Sequence, residues 1–345
     1  MSQKQTIHPK LHFAVWTAVA ISTLAIAGYF FVRTLADPNQ KPVGPPEKAS
    51  IAFSMPHVLI AVAQMNGYFT EEGLEMTPLL RSHGKAALED VLDGKADFAG
   101  TAETPAMFAI MKGEKIAIIA TIQTSNQNNA IVARKDRGVL SPRDLKGRTI
   151  GTAHGTTGDF FMDAFLAARG ISRKDIKLVD LKPKEMPDAL IKGQVDAVAA
   201  FGSSLVQART KLGNRGITFY DEDIYTQSFI IVAKQEYISR NPETVRKILR
   251  GLLKAEDFTS QNLAEARKIV SDLNKMDPDL VRQTVENNRF RVTLDQSLIL
   301  SMEDETRWAV KNGVIRNEAK EPNYLDFIYF EGLEAVKPEA VRILR

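Results

Sequence analysis

The chain of 345 residues is 44% hydrophobic and sets 45 Lys and Arg against 42 Asp and Glu, a formal net charge of +3. That is enough apolar material for one or two globular domains. The balanced charge, free of basic runs and of basic-aromatic interleaving, argues against nucleic acid as a partner. With no cysteine in the chain, disulfides, thiol catalysis, cysteine-ligated zinc and a lipidated N-terminal Cys are all excluded.

Phe13 to Val32 is an uncharged apolar run flanked by Lys4 and Lys10 before it and Arg33 after it. It is long enough to span a bilayer and longer than a usual signal-peptide core, so residues 1–36 read as an uncleaved N-terminal anchor or, alternatively, a cleaved signal. Either reading puts the body of the protein outside the cytoplasmic membrane. Residues 37–47 hold Pro38, Pro42, Pro45 and Pro46 and read as an extended linker. Folding is expected to begin near Lys48.

From there strands and helices alternate. Ile51 to Ser54 is a strand, and Val58, Val62 and Met65 mark a helix closed by Gly67. Leu74 to Leu80 is a second strand, and Arg81-Ser82-His83-Gly84-Lys85 leads into a helix closed by Gly94. Asp97 to Thr101 is a third strand, Glu103-Thr104-Pro105 opens a helix, and Lys115 to Ile122 is a fourth strand. The alternation predicts a mostly parallel sheet covered on both faces.

After the polar stretch Gln123 to Asn129 the alternation restarts, with strands at Ala130 to Ala133, Thr149 to Thr152, Ile176 to Leu181 and Val195 to Phe201. Between the second and third of these lies Ala153-His154-Gly155-Thr156-Thr157-Gly158-Asp159. It is a small, hydroxyl-rich loop that opens a helix with Phe161, Met162, Phe165 and Ala168, ended by Gly170. Free N–H groups at such a helix start suit a polar or anionic ligand. The loop has neither a GxxxxGK[ST] nor a full GxGxxG pattern. A short echo links the halves: Gly94-x-x-Asp97 and Gly193-x-x-Asp196 stand at the same place in the strand-helix order, which points to two lobes of one architecture. Phe229 to Ala233 carries the chain back. From Asn241 onward helices are expected, with Asn241-Pro242 and Asp277-Pro278 as starts, Ser271 on an exposed face, and Thr293 with Gln296 as a capping box. They would complete the first lobe.

The combination of Asn66-Gly67-Tyr68-Phe69, Glu72-Gly73-Leu74, the two Gly-x-x-Asp turns and Asp144-Leu145-Lys146-Gly147-Arg148-Thr149-Ile150-Gly151 resembles the periplasmic substrate-binding proteins of nitrate/sulfonate/taurine-type ABC importers. Thiamine-pyrimidine-synthase-like proteins share the resemblance, which covers about Ile51 to Arg345. It implies an α/β, two-lobed periplasmic binding protein fold of type II. Residues 48–128 would begin lobe 1, 129–228 form lobe 2, and 229–345 complete lobe 1, with crossings near Thr121 to Ala133 and Tyr225 to Lys234. It further implies a small solute in the cleft, a permease and an ATPase as partners, a monomer, and no cofactor. Carried over loop by loop, the ligand-contacting residues would be Ser54, His57, Ser82, His83, Thr101, Glu103, Thr104, Gln123, His154, Thr156, Thr157, Phe201 and Ser203. The chain departs from the family pattern at Phe201-Gly202-Ser203 and at His57.

Of the five histidines, His57, His83 and His154 all fall in strand-to-helix loops. His83, His154 and the helix starts would hold an oxyanion or carboxylate; the rival is a divalent metal on the three imidazoles with Asp159 or Glu103. The function expected is capture of a small polar or anionic organic solute (sulfonate, nitrate, carboxylate or pyrimidine-like) for an importer. The alternatives are a membrane-tethered sensing or metal-binding domain, or a pyrimidine-synthesis-type enzyme. The enzyme reading lacks a recognisable group of nucleophile, base and orienting acid.

Overall fold

Ile51, Ala52 and Phe53 have no exposed surface, which is how a strand covered on both faces must read. They form the buried half of β1 (Glu47–Phe53), and the first sheet assembles around them. The structure is a computed structural model describing residues 45–55, 57–315 and 321–345. The apolar run Phe13 to Val32 lies outside the described residues. Among those described, no helix is long and apolar enough to cross a membrane.

The chain continues through α1 (Val58–Met65), α2 (Tyr68–Glu71), β2 (Leu74–Leu80), α3 (Gly84–Leu92), β3 (Phe98–Ala102), α4 (Glu103–Met111) and β4 (Ile116–Ser125). It crosses to a second sheet with β5 (Asn129–Arg134), β6 (Thr149–Thr152), α5 (Thr157–Ala167), β7 (Lys177–Asp180), α6 (Met186–Ile191), β8 (Ala197–Phe201), α7 (Gly202–Leu212) and β9 (Gly216–Phe219). It returns on β10 (Gln227–Lys234), followed by α8 (Gln235–Arg240), α9 (Pro242–Gln261), α10 (Leu263–Asn274), α11 (Pro278–Val285), β11 (Arg289–Asp295), α12 (Gln296–Lys311), α13 (Phe330–Val336) and β12 (Val341–Arg342).

The sheets run β12-β11-β4-β10-β3-β1-β2 and β7-β6-β8-β5-β9. The strands joined by helical crossovers pair in parallel, β1 with β2 and β3, and β6 with β7 and β8. The sheets are nevertheless mixed, not mostly parallel as the alternation predicts. β10 lies antiparallel to β3 and β4, and β5 antiparallel to β8 and β9. A strand that has just crossed from the other lobe enters without a helical crossover, so nothing forces it to run with its neighbours.

The echo in the sequence has a mechanical meaning. Gly94 and Gly193 take φ of 74° and 72°, the left-handed conformation that ends a helix and that a Cβ would penalise. Three residues on, Asp97 Oδ2 accepts from Ser50 N at 2.8 Å and Asp196 Oδ2 from Thr149 N at 2.9 Å, both across a separation of 47 residues. Each carboxylate holds a backbone N–H of the parallel strand beside its own, Ser50 within β1 and Thr149 at the start of β6.

The C-terminal helices pack onto the first lobe. α9 and α10 lie on α1, and α9 buries Val245, Ile248, Leu249 and Leu252. Burying each such side chain contributes roughly 1.5–3 kcal/mol. Three local expectations fail. Arg289 to Asp295 is a strand, its Phe290, Val292 and Leu294 alternating with Arg289, Arg291 and Thr293. Thr293 is therefore no helix cap: α12 starts after Asp295, and the Thr293 hydroxyl lies 2.8 Å from Asp295 Oδ2 and 3.0 Å from Ala340 O. Ser271 is buried, and its hydroxyl donates to Met276 O at 2.6 Å, closing the turn in which Lys275 has a positive φ.

Candidate functional site

The parallel strands β1, β2, β3, β6 and β8 end in loops that face one interlobe cleft, the position where open α/β sheets hold ligands. Ser54 and His57, the Ser82 to Lys85 turn, Ala102 and Pro105 come from the first lobe, with Gln227 and Phe229 from β10. Thr156, Thr157, Pro183, Lys184, Pro187, Phe201 to Ser204 and Gln207 come from the second, and Asn128 from the crossing. The cleft encloses about 140 Å³, close to the roughly 150 Å³ that admits a benzene ring. A solute of one ring or a short chain fits.

The lining contains Lys85, Lys184 and His83 and, among the described residues, no aspartate or glutamate. Five helices begin around it, at His57, His83, Ala102, Thr156 and Phe201, and none of these residues supplies a side-chain cap. Their first-turn N–H groups and positive dipole ends are thus largely left for other partners. Three are taken: Val58 N donates to Gln123 Oε1 at 3.3 Å, Gly202 N to Asn128 O at 3.0 Å and Asp159 N to Thr156 O at 3.1 Å. Walls of Phe201, Phe229 and four prolines or alanines are apolar. The site combines positive potential with apolar contact.

The histidines have separate roles. His57 is 1% exposed, with Nδ1 3.1 Å from Ser54 O and Nε2 3.4 Å from Thr101 O. Burial pushes its pKa down to about 4, so near neutral pH it is an uncharged wall whose ring also meets the Phe229 edge at 5.5 Å. His83 sits at the lip, its Nδ1 2.8 Å from Ser82 Oγ, its pKa lowered by burial and by Lys85. His154 lies elsewhere, in a second hollow with Lys85, Phe108, Gly155, Val314 and Ile315. Its Nδ1 is 3.2 Å from Asp159 Oδ2, and its carbonyl accepts from Lys85 Nζ at 3.0 Å across the lobes. Gly155, with φ of 68°, turns the loop that puts it there. The three imidazoles do not converge. Among the described residues no group of three His, Cys, Asp or Glu could hold a metal.

Of the residues expected to meet a ligand, Ser54, His57, Ser82, His83, Thr156, Thr157, Phe201 and Ser203 line the cleft, whereas Thr101, Glu103, Thr104, Gln123 and His154 do not. Thr101, Glu103 and Thr104 point into the first lobe, fully buried, because the phase of β3 and of the first turn of α4 leaves Ala102 and Pro105 at the surface of the cleft. Gln123 lies behind α1, holding its first N–H. Lys184, Asn128, Gln207 and Gln227 line the cleft and were not foreseen. Lys182-Pro183-Lys184 does stand between a strand and a helix, the same signal as the other loops; the two glutamines, on a helix and a returning strand, carry none.

Comparison with known proteins agrees with this geometry. The family described as NMT1/THI5 like matches residues 54–266, more than half of the chain. A Bacillus subtilis (strain 168) protein named for binding aliphatic sulfonates is 24% identical over 252 residues, 72% of this chain and 76% of that one. The 4-amino-5-hydroxymethyl-2-methylpyrimidine phosphate synthase of Saccharomyces cerevisiae is 24% identical over 226 residues, 61% of this chain and 66% of that one. The alkanesulfonate-binding protein of Xanthomonas axonopodis pv. citri bound to MOPS superimposes with a TM-score of 0.71 at 17% identity, covering 83% of this chain and 99% of that one. The fold is the two-lobed α/β fold of periplasmic binding proteins, and the chain belongs to the NMT1/THI5-like family.

Proposed function

We propose that the protein captures a small organic anion, a sulfonate or carboxylate with a short apolar body, outside the cytoplasmic membrane and delivers it to the permease and ATPase of an ABC importer. The observation that carries this reading is the charge of the cleft. Lys184 lines it from the second lobe and Lys85 from the first, the latter with its ammonium on the His154 carbonyl at the edge of the cleft, helix starts without side-chain caps surround it, and no carboxylate lines it among the described residues. An anion there meets attraction from both lobes and would draw them together. The apolar walls favour a body beyond the charged head, which ranks an alkane- or arylsulfonate above nitrate. Binding without turnover is the form favoured by the same lining. His57 has both nitrogens against backbone carbonyls, and no acid stands beside it to act as a proton donor or acceptor in the cleft.

Calorimetric titration of the full chain in detergent with MOPS, other sulfonates, carboxylates, nitrate and neutral pyrimidines is the test. Sulfonates should bind best, and Lys85→Met and Lys184→Met should each weaken them by about tenfold, consistent with charge-assisted bonds of roughly 1.5–3 kcal/mol. A neutral pyrimidine that bound more tightly than every anion, and equally well to both variants, would overturn the reading.

A further inference from the structure

Two carboxylates that the cleft does not use lie buried without a counter-charge. Glu103, at the start of α4, and Glu305, within α12, are both 0% exposed. Among the described residues neither forms an ion pair. Tyr225 OH donates to Glu103 Oε1 at 2.6 Å, Thr104 Oγ1 donates to Glu305 Oε1 at 2.7 Å, and the two hydroxyls are 3.4 Å apart. Both Oε2 atoms are buried with no partner.

The groups that face this pair are acidic or neutral: Tyr225 from the crossing, Asp304 from α12, the Ser228 backbone N–H from β10, and Tyr324, whose hydroxyl bonds Thr306. The cation of the neighbouring network, Arg173, is committed to Asp159 at 3.0 Å and Asp163 at 2.6 Å. Two carboxylates in a dry interior with no cation cannot both ionise, so the pair retains a proton. Burial raises Glu103 to about 7, and burial together with the charge of Glu103 raises Glu305 well above the usual carboxylate range.

The place of the pair gives that proton a mechanical consequence. Tyr225 belongs to the segment that leads back from the second lobe, and its ring meets Phe160 of α5 at 5.1 Å. Phe160 in turn meets Trp308 of α12 at 5.3 Å, and Trp308 Nε1 donates to Asp163 Oδ2 at 2.9 Å. The chain of contacts therefore runs from the carboxylates of the first lobe through the crossing to the second lobe and back.

We propose that Glu103, Glu305 and the Tyr225 hydroxyl form a proton-bearing clasp at the lobe junction, and that loss of a proton from the carboxylate pair loosens the junction and weakens solute capture. The last clause rests on the solute-binding reading; the clasp itself does not. The direction follows from linkage. Both carboxyls hold protons more tightly folded than unfolded, so the folded state loses stability as pH rises from the ordinary carboxylate range, 4.5, through about 7.

The chain has two tryptophans, so Trp16→Phe in the full chain leaves Trp308 as the only indole reporter. Without solute, Trp308 fluorescence from pH 5 to 9 should show a transition within about one unit of pH 7, and the thermal midpoint should fall across it. Glu103→Gln and Glu305→Gln keep the shape of the pair and should each remove both effects. MOPS affinity should drop severalfold from pH 6 to pH 8 in the parent and stay level in the two variants. No transition in the parent overturns the proposal. So does a transition that survives in either glutamine variant, or one that disappears instead in His154→Gln, whose imidazole joins the same network through Asp159. A titrating clasp in a protein that binds no anion at either pH would sink the solute reading and leave the clasp standing.

Discussion

Thr156 and Thr157 stand side by side at the start of α5 with different partners. Both line the cleft, but the Thr156 hydroxyl donates to Ala153 O at 2.7 Å and so also holds the loop. Thr157→Ala should therefore weaken MOPS binding by about 1 to 2 kcal/mol, or roughly five- to thirtyfold, with little change in stability. Thr156→Ala should instead cost about 0.5–1.5 kcal/mol in denaturant melts. Equal affinities for parent and Thr157→Ala would move the solute away from this helix start. His57 makes a different prediction. Its imidazole is held at about 4 against an ordinary 6.5, so the folded chain binds fewer protons between those values and loses stability as pH falls through them. In His57→Gln the thermal midpoint should fall less steeply between pH 7 and 4 than in the parent. Parallel slopes would mean that the ring is not buried in its neutral form.

At the scale of the element, the two Gly-x-x-Asp turns carry the sheets. Asp97→Ala leaves the Ser50 N–H and hydroxyl without their acceptor, and Asp196→Ala does the same to the Thr149 N–H. Each should cost about 1–3 kcal/mol by chemical denaturation, while Lys268→Ala on the exposed face of α10 stays within about 0.5. A clamp variant as stable as the parent would make the echo a coincidence of sequence. These elements were legible because glycine caps and helical periodicity are written locally. β11 was not, although Phe290, Val292 and Leu294 alternate, because the helices on both sides set the expectation. β9 and β12 are short edge strands whose pairing is decided by the sheet they join. The site follows the same division. Strand-end loops such as Ser82 to Lys85 were found by position alone. Which side of a loop faces the cleft depends on helix phase, so Glu103 and Thr104 were expected there and lie behind it. Lys184, Gln207 and Gln227 reach the cleft only through the arrangement of the lobes.

For the whole molecule, the reading of a binding protein held at the membrane depends on Phe13 to Val32. That run is of spanning length, and with no cysteine in the chain a lipid anchor on Cys cannot substitute for it. Cell fractionation with N-terminal sequencing should find the chain in the membrane fraction with its first residues intact. A freely released product starting near Asp37 would overturn the anchor and leave a cleaved signal.

Ser125 and Gln227 face each other across the β4–β10 ladder, so the chain leaves for the second lobe and returns from it at a single point on the first sheet. Topologically the entire second lobe is an insertion in a hairpin. The pairing of β4 with β10 would be the same if the excursion were two residues long. Half of the cleft is thereby carried on one continuous insertion, which meets the first lobe again where Trp308 Nε1 donates to Asp163 Oδ2 and Lys85 Nζ to His154 O.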